Sequence, residues 1–406
     1  MKYLLTASAL LCLLAHQSLI AAPAEILSYQ SISSRVRSAN PELAAARFHI
    51  DEAVGLASQT GRLSNPTFDT GINHNVQSAE GGIELGFSQK FPLTNRLALE
   101  KEIGAAQIKA AEAEVRNAER LLVAEARQEF VKALSIRERK TLLKKQKQLA
   151  SELAKFISDA SERGEISSLD AAQARLAALR LTTEERRLET EETASLGKLR
   201  PIVGLAPGIA VVLSGNAPPI RLPAAAGFTR PDLSAAKIKL GAANTGIALE
   251  QARRRDDLEA SVFAAGERIE DAPDGLENEG IIGFKLSIPL PFWNDNQGNI
   301  DAATARRNRQ EQEIKALTRD INHEAQIAMT EMRQWAELIT ELDSTLLPLA
   351  KEQTDLLENA YLQGQGDLQS VLISRESSLE LLASKIDATR EFQLALIRHQ
   401  AATGNP

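Results

Sequence analysis

The stretch Ala360-Tyr-Leu-Gln-Gly-Gln-Gly-Asp-Leu-Gln-Ser-Val-Leu-Ile-Ser-Arg-Glu376 interrupts a chain that otherwise reads as helix for dozens of residues. The pattern stops at Gly364 and Gly366, and the same apolar spacing resumes from Leu368. A second break of this kind, Arg163-Gly164-Glu165-Ile166-Ser167-Ser168-Leu169-Asp170, stands far upstream. Glycine tolerates the left-handed conformation that reverses a helix, so each break reads as the tip of a helical hairpin.

Outward from the tips, apolar residues recur at heptad-like intervals. From about Thr94 to Glu162 they include Ile108, Val115, Leu122, Leu142, Leu149, Leu153 and Phe156. From about Asp301 to Leu362 they include Ile314, Leu317, Ile321, Met332, Trp335, Ile339, Leu342, Leu346 and Leu349. Such stripes are coiled-coil seams. Seventy residues at about 1.5 Å each make a helix on the order of 100 Å long. Pro348 is expected to kink the second one. The returning helices run to about Leu199 and Ala402.

Ahead of each long helix lies a pair of alternating segments, Pro66 to Asn75 with Ile83 to Ser88, and Leu258 to Val262 with Ile282 to Ile288. A period of two predicts strands with one apolar and one polar face. Both pairs close on proline, in Phe91-Pro92-Leu93 and Leu290-Pro291-Phe292-Trp293, because proline has no donor for the ladder. Polar loops are expected at Asn73 to Gly81 and at Ile269 to Gly280, the latter carrying Glu270, Asp271, Asp274, Glu277 and Glu279. Upstream again, Asn40-Pro41-Glu42-Leu43 and Arg230-Pro231-Asp232-Leu233 open helices, with proline in the first turn and a carboxylate at the positive end of the dipole.

The chain is thus two structural repeats, mainly α with a small β part. Residues 22–215 hold a strand hairpin (66–93) and a long helical hairpin (94–199, tip near 164). Residues 216–406 hold another strand hairpin (257–292) and another helical hairpin (301–402, tip near 364–366). Pro201 to Phe228, rich in Pro, Gly and Ala, reads as a linker with one small strand around Ile209 to Leu213.

Composition agrees with an elongated helical molecule. Aromatics are 4% of 406 residues, too few for several globular cores, while helix formers abound. Residues 1–21 combine Lys2 and the apolar run Leu4 to Ala15 and end between the small residues Ala21 and Ala22, which reads as a secretory signal peptide. Leu10 and Leu11 before Cys12 do not suit a lipoprotein site. Removing the leader takes the net charge from −7 to −8 and leaves no cysteine, so no disulfide or thiolate metal site is available. The acidity, without a basic stripe, argues against nucleic acid. His49, His74, His323 and His399 are widely spaced and predict no metal site, and no phosphate loop, nucleophile elbow or triad predicts an enzyme or a cofactor.

Four amphipathic strands cannot leave open edges in lipid, so they must close with other chains into an outer-membrane barrel. Phe91, Phe292 and Trp293 would mark one rim, and the long helices would project from it into the periplasm.

In this order of elements the chain resembles the outer membrane factor family, the TolC-like exit ducts. The residues that carry the resemblance are the Pro-Glu-Leu and Pro-Asp-Leu openings, the two strand hairpins, Gly164 followed by Asp170 and Ala174-Arg175, and Leu347-Pro348-Leu349 leading to Tyr361 and Gly364. It implies a homotrimer whose twelve-stranded barrel continues into a periplasmic α-helical barrel, a periplasmic adaptor, and an inner-membrane RND-type pump. The short length and the Leu-Pro to Tyr-Gly stretch are most similar to members serving heavy-metal efflux of the cobalt-zinc-cadmium and copper-silver types. A duct for drugs or secreted polypeptides shares the architecture. A periplasmic adaptor or coiled-coil scaffold is the rival of another class, but adaptors follow their hairpins with strand-rich domains and this chain ends in a helix.

The resemblance makes Gly164, Glu165, Asp170, Gly364, Gly366 and Asp367 candidates for adaptor docking and gating. The family's two constricting aspartates are matched by Ser370 and Ile373, and its tip arginine by Gly366, so that charge lock is absent. Asp367 either supplies a ring of three carboxylates or caps the returning helix. Asp170 either pairs with Arg163 or Arg175 or faces the lumen.

Overall fold

The computed structural model describes residues 24–224, 227, 229–271 and 275–404. The signal peptide read at residues 1–21 lies outside the described residues, as does Asp274. Strand β1 (Glu25–Ser28), α1 (Ser31–Ala39) and α2 (Pro41–Gln59) lead to β2 (Thr67–His74), β3 (Gly81–Phe91), α3 (Arg96–Glu162) and α4 (Ser168–Ile202). The same plan then repeats. It comprises β4 (Val211–Ser214), α5 (Pro231–Ala252), β5 (Leu258–Asp271), β6 (Gly275–Ser287), α6 (Gln297–Glu341), a π-helical turn (Leu342–Leu346), α7 (Leu347–Leu362) and α8 (Leu368–Thr403).

Equivalent joints hold each returning helix to the helix that opens its own repeat. Asn40 caps α2 by accepting from Leu43 N at 2.8 Å and donates through Nδ2 to Ile202 O at 2.8 Å. Beside it Gly204, at φ +68°, approaches so closely that a Cβ would lie 2.2 Å from Ala39 O. In the second repeat Thr229 N donates to Thr403 O at 3.0 Å. Gly404, at φ +82°, leaves room for a Cβ only 2.7 Å from the Thr229 carbonyl carbon.

The four long strands form one antiparallel sheet in the order β2-β3-β5-β6. Its register puts Phe68 opposite Phe87, Phe87 opposite Val262, and Val262 opposite Phe284. That face, with Ile72, Ile83, Leu85, Ile282 and Leu286, is exposed and apolar. Strand alternation places Asp69, Glu84, Ser88, Lys90, Glu259, Glu267, Glu279 and Lys285 on the other face. The polar loop expected at Ile269 to Gly280 is a correction. The ladder continues through it, with Arg268 opposite Asn278 and Glu270 opposite Leu276. Polarity there marks where the apolar band ends, not where backbone pairing stops.

The small strand read around Ile209 to Leu213 is β4, and it pairs in parallel with β1, from Glu25 opposite Val211 to Ser28 opposite Ser214. Only the start of the linker is corrected, since helix α4 persists to Ile202. The four-residue β1 is too short to announce itself by periodicity. Leu27, Ile32, Val36, Phe130, Leu199 and Leu213 bury together beneath this small sheet.

The seams also differ from the heptads read in the sequence. In α3, Ile157 is fully buried and Phe156 is 51% exposed, so the stripe lies one position further on. In α6 the buried positions Ile321, Ala325, Ala328, Met332 and Ile339, with Leu342 at the start of the π turn, follow heptad steps, and Trp335 packs beside them. Just before Pro348, where a kink is expected, the helix passes through the π turn, in which Leu347 N donates to Leu342 O. The wider turn accommodates a ring that would collide with an α-helical carbonyl and has no N–H to offer it. Among the described residues no helix is long and apolar enough to cross a membrane.

Candidate functional site

The two tips are built alike. At the first, Gly164 has φ +77°, Gly164 N donates to Ser161 O at 3.0 Å, and Glu165 N donates to Ala160 O at 2.9 Å. At the second, Gly364 has φ +70°, Gly364 N donates to Tyr361 O at 3.0 Å, and Gln365 N donates to Ala360 O at 2.9 Å. This pair of hydrogen bonds satisfies two carbonyls that a helix end leaves open. Gly366 serves differently. Its φ is not positive, but a Cβ would sit 3.1 Å from Tyr361 N, so close approach is what asks for glycine there.

Each returning helix is capped by the third residue after the turn glycine. Ser167 accepts from Leu169 N at 3.1 Å. Asp367 accepts from Ser370 N at 2.9 Å and from Ser370 Oγ at 2.7 Å. The Ser370 hydroxyl and amide hold the Asp367 carboxyl below the usual aspartate range. Ser370, the position matched to a constricting aspartate, is therefore a partner of Asp367.

Arg163 grips Glu165 with Nε and Nη2, both at 2.9 Å, and this guanidinium pulls the Glu165 carboxyl down. Arg163 is thus engaged with Glu165 and not with Asp170. Asp170, in the first turn of α4, lies near Tyr361 of the other hairpin. Burial, and after it the Asp170 charge, raises the Tyr361 phenol. Beneath them Ile157, Ala174 and Leu368 bury against one another, with Leu153, Ile166, Ala171, Tyr361 and Leu372 around them. The structure thereby packs the base of the first tip, through Ile157, Ile166, Ala171 and Ala174, against Tyr361, Leu368 and Leu372 of the second. Sequence reading missed Ile157, which a one-residue shift of the stripe would have exposed, and the Arg375–Glu358 pair at 2.6 Å between α8 and α7.

Among the described residues no group of three or more His, Cys, Asp or Glu side chains converges to hold a metal. His399 is buried, and burial pushes its imidazole down.

A four-stranded sheet with one exposed apolar face, carried on two helical hairpins with paired tips, fits a subunit of a channel that joins a strand barrel to a helical tunnel. The chain belongs to the outer membrane efflux protein family, whose profile matches residues 32–205 and 222–405. No curated protein matches the chain on sequence alone. Among solved structures it is similar to CusC, described for its transmembrane channel formation, with 18% identity, TM-score 0.74, and 93% of this chain and 92% of that chain covered. It is also similar to VceC of Vibrio cholerae, with 17% identity, TM-score 0.75 and coverage of 93% and 96%. The open-state outer membrane channel MtrE of Neisseria gonorrhoeae gives 17% identity, TM-score 0.71 and coverage of 93% and 88%. At such identities the likeness is one of fold.

Proposed function

We propose that this protein is the exit duct of a tripartite efflux pump, with divalent heavy-metal cations as cargo. In this reading three chains close in the outer membrane, an inner-membrane RND-type pump supplies the work, and a periplasmic adaptor docks on the tips. Gly164, Glu165, Asp170, Gly364, Gly366 and Asp367 are the docking and gating residues.

The observation that carries the reading is the sheet. Strands β2 and β6 each have a single neighbour, yet the outer face is apolar. An unpaired backbone group in lipid costs several kcal/mol, so such edges must be closed, and copies of the same chain are the simplest partners. Cation cargo is supported by the inner face, where Asp69, Glu84, Glu259, Glu267 and Glu279 outnumber Lys90 and Lys285. Carboxylates favour cations, and scattered ones release them, as conduction requires. The stretch from Leu347-Pro348-Leu349 to Gly364, most similar to heavy-metal members, supports the same cargo.

The test is growth of a deletion strain on graded zinc, cobalt, cadmium, copper and silver beside hydrophobic drugs and dyes. Sensitivity to metals alone, restored by the wild-type gene, is the expected result. Sensitivity to drugs alone would remove the metal cargo and leave the duct.

A further inference from the structure

Among the described residues, the polar face of the four-stranded sheet carries a single phenylalanine. Alternation puts Phe68, Phe87, Phe91 and Phe284 on the apolar face and leaves Phe263 on the side of Asp69, Glu84, Glu259 and Lys285. At its level the register runs Asp69, Gly86, Phe263, Gly283 across all four strands. Phe263 therefore has a glycine on either side.

The two glycines are not equivalent. A Cβ on Gly86 would stand 3.4 Å from the Phe263 Cβ, an ordinary contact. A Cβ on Gly283 would stand 3.0 Å from Phe263 Cε2 and closer still to Cε1 and Cζ, so the far end of the ring occupies the place of the missing side chain. Strand side chains ordinarily rise perpendicular to the sheet. This ring instead lies down across the gap of about 4.8 Å to the neighbouring strand, over the Gly283 backbone. It is half-buried as a result. The φ of Gly283 is not positive, so its own backbone does not ask for glycine. The ring does.

Bulk on this face matters in a closed barrel. Roughly eight strands enclose a space that side chains fill, whereas about sixteen leave an aqueous channel. A twelve-stranded barrel falls between, so the size and posture of inward side chains decide the bore. Three upright rings at one level would form an apolar collar. We propose that Gly283 is a specificity-determining residue of the duct, a recess that stows the Phe263 ring against the wall and so sets the largest solute the barrel passes. A hydrated metal cation passes in either case, so the recess bears on bulkier cargo. The inference rests on three chains closing around the polar face, and it adds what fixes the bore.

The test reads the bore from outside, with polyethylene glycol maleimides of graded mass on intact cells. The background is Cys12→Ala, which removes the lone cysteine of the sequence. Glu267→Cys lies on the polar face between the ring and the strand turns, and Glu259→Cys lies beyond the ring, toward the helices. Gly283→Ala adds only a methyl group, too small to narrow the bore by itself, but it evicts the ring. The largest reagents that reach E259C in the parent should then react several-fold more slowly, with E267C unchanged. Adding Phe263→Ala should restore the parent rate. Phe263→Ala alone should leave both sites unchanged, because a stowed ring does not obstruct, and it carries the test even if Gly283→Ala does not assemble. An unchanged rate at E259C in Gly283→Ala, or a faster one in Phe263→Ala, would overturn the recess and leave the duct standing. If neither site is reached from outside in the parent, closure around the polar face fails and the duct reading falls with it.

Discussion

Gly204 and Gly404 occupy the same place in the two halves, at the end of a returning helix and against the residues that precede a proline-opened helix. For Gly204→Ala the left-handed backbone alone costs roughly 1–3 kcal/mol. The Cβ would also stand 2.2 Å from Ala39 O, so a large drop in melting temperature in detergent is expected. Gly164→Ala meets no neighbour within 4 Å and should lose less. Equal losses at the two positions would contradict this account of the joint. Asp232 gives a pH dependence. Burial would raise its carboxyl, but the Arg230 hydrogen bonds and charge outweigh that and hold it below 3.8. Its contribution is complete above the ordinary aspartate value and fades as the folded form takes up a proton. Stability should therefore fall as pH drops through and below the ordinary aspartate range, less steeply in Arg230→Gln, as read by thermal unfolding. The tip glycines were legible because a helix stops at them, and Asn40 because it precedes Pro41. Gly204 was not, since the backbone it meets lies far away in the chain.

The helical hairpins are cemented by different forces. Between α3 and α4 the middle section relies on Lys140–Glu192 at 2.7 Å, Lys147–Glu185 at 2.6 Å and Arg139–Glu184 at 3.6 Å. Between α6 and α8 it relies on Met332, Ile339, Phe392 and Leu396. Raising salt toward about 1 M, where screening acts beyond about 3 Å, should speed amide exchange in the middle of α4 and leave α6 unchanged. Phe392→Ala should cost about 3–5 kcal/mol, in the second hairpin only. Element types and order were readable from period two and heptad spacing. Which residue of a stripe is buried was not, because neighbouring Phe156 and Ile157 are both apolar and only the partner helix decides between them. The π turn was also hidden, since proline announces a defect but not its form.

At the scale of the molecule, Phe292 and Trp293 pack edge to face at 6.1 Å between ring centres, and Trp293 is 96% exposed. Tryptophan favours the level of lipid headgroups. With Trp335→Phe the chain keeps a single tryptophan, and bromine-labelled lipids should quench its emission once the protein is in a bilayer. Emission insensitive to brominated lipid would place that rim outside the membrane. The duct class was legible from the repeated order of elements, whereas the closure of the sheet depends on copies that one sequence does not display. The order β2-β3-β5-β6 also dictates when things happen. Its central pairing sets Phe91 opposite Leu258, residues that stand on either side of the entire first helical hairpin. Long-range pairing is slow because the closing of a long loop precedes any gain from it, whereas antiparallel helices form from local contacts. The helical hairpins are therefore expected to assemble first and to bring the strands together. Membrane insertion is then expected to come late, open only to chains whose helical part has already folded.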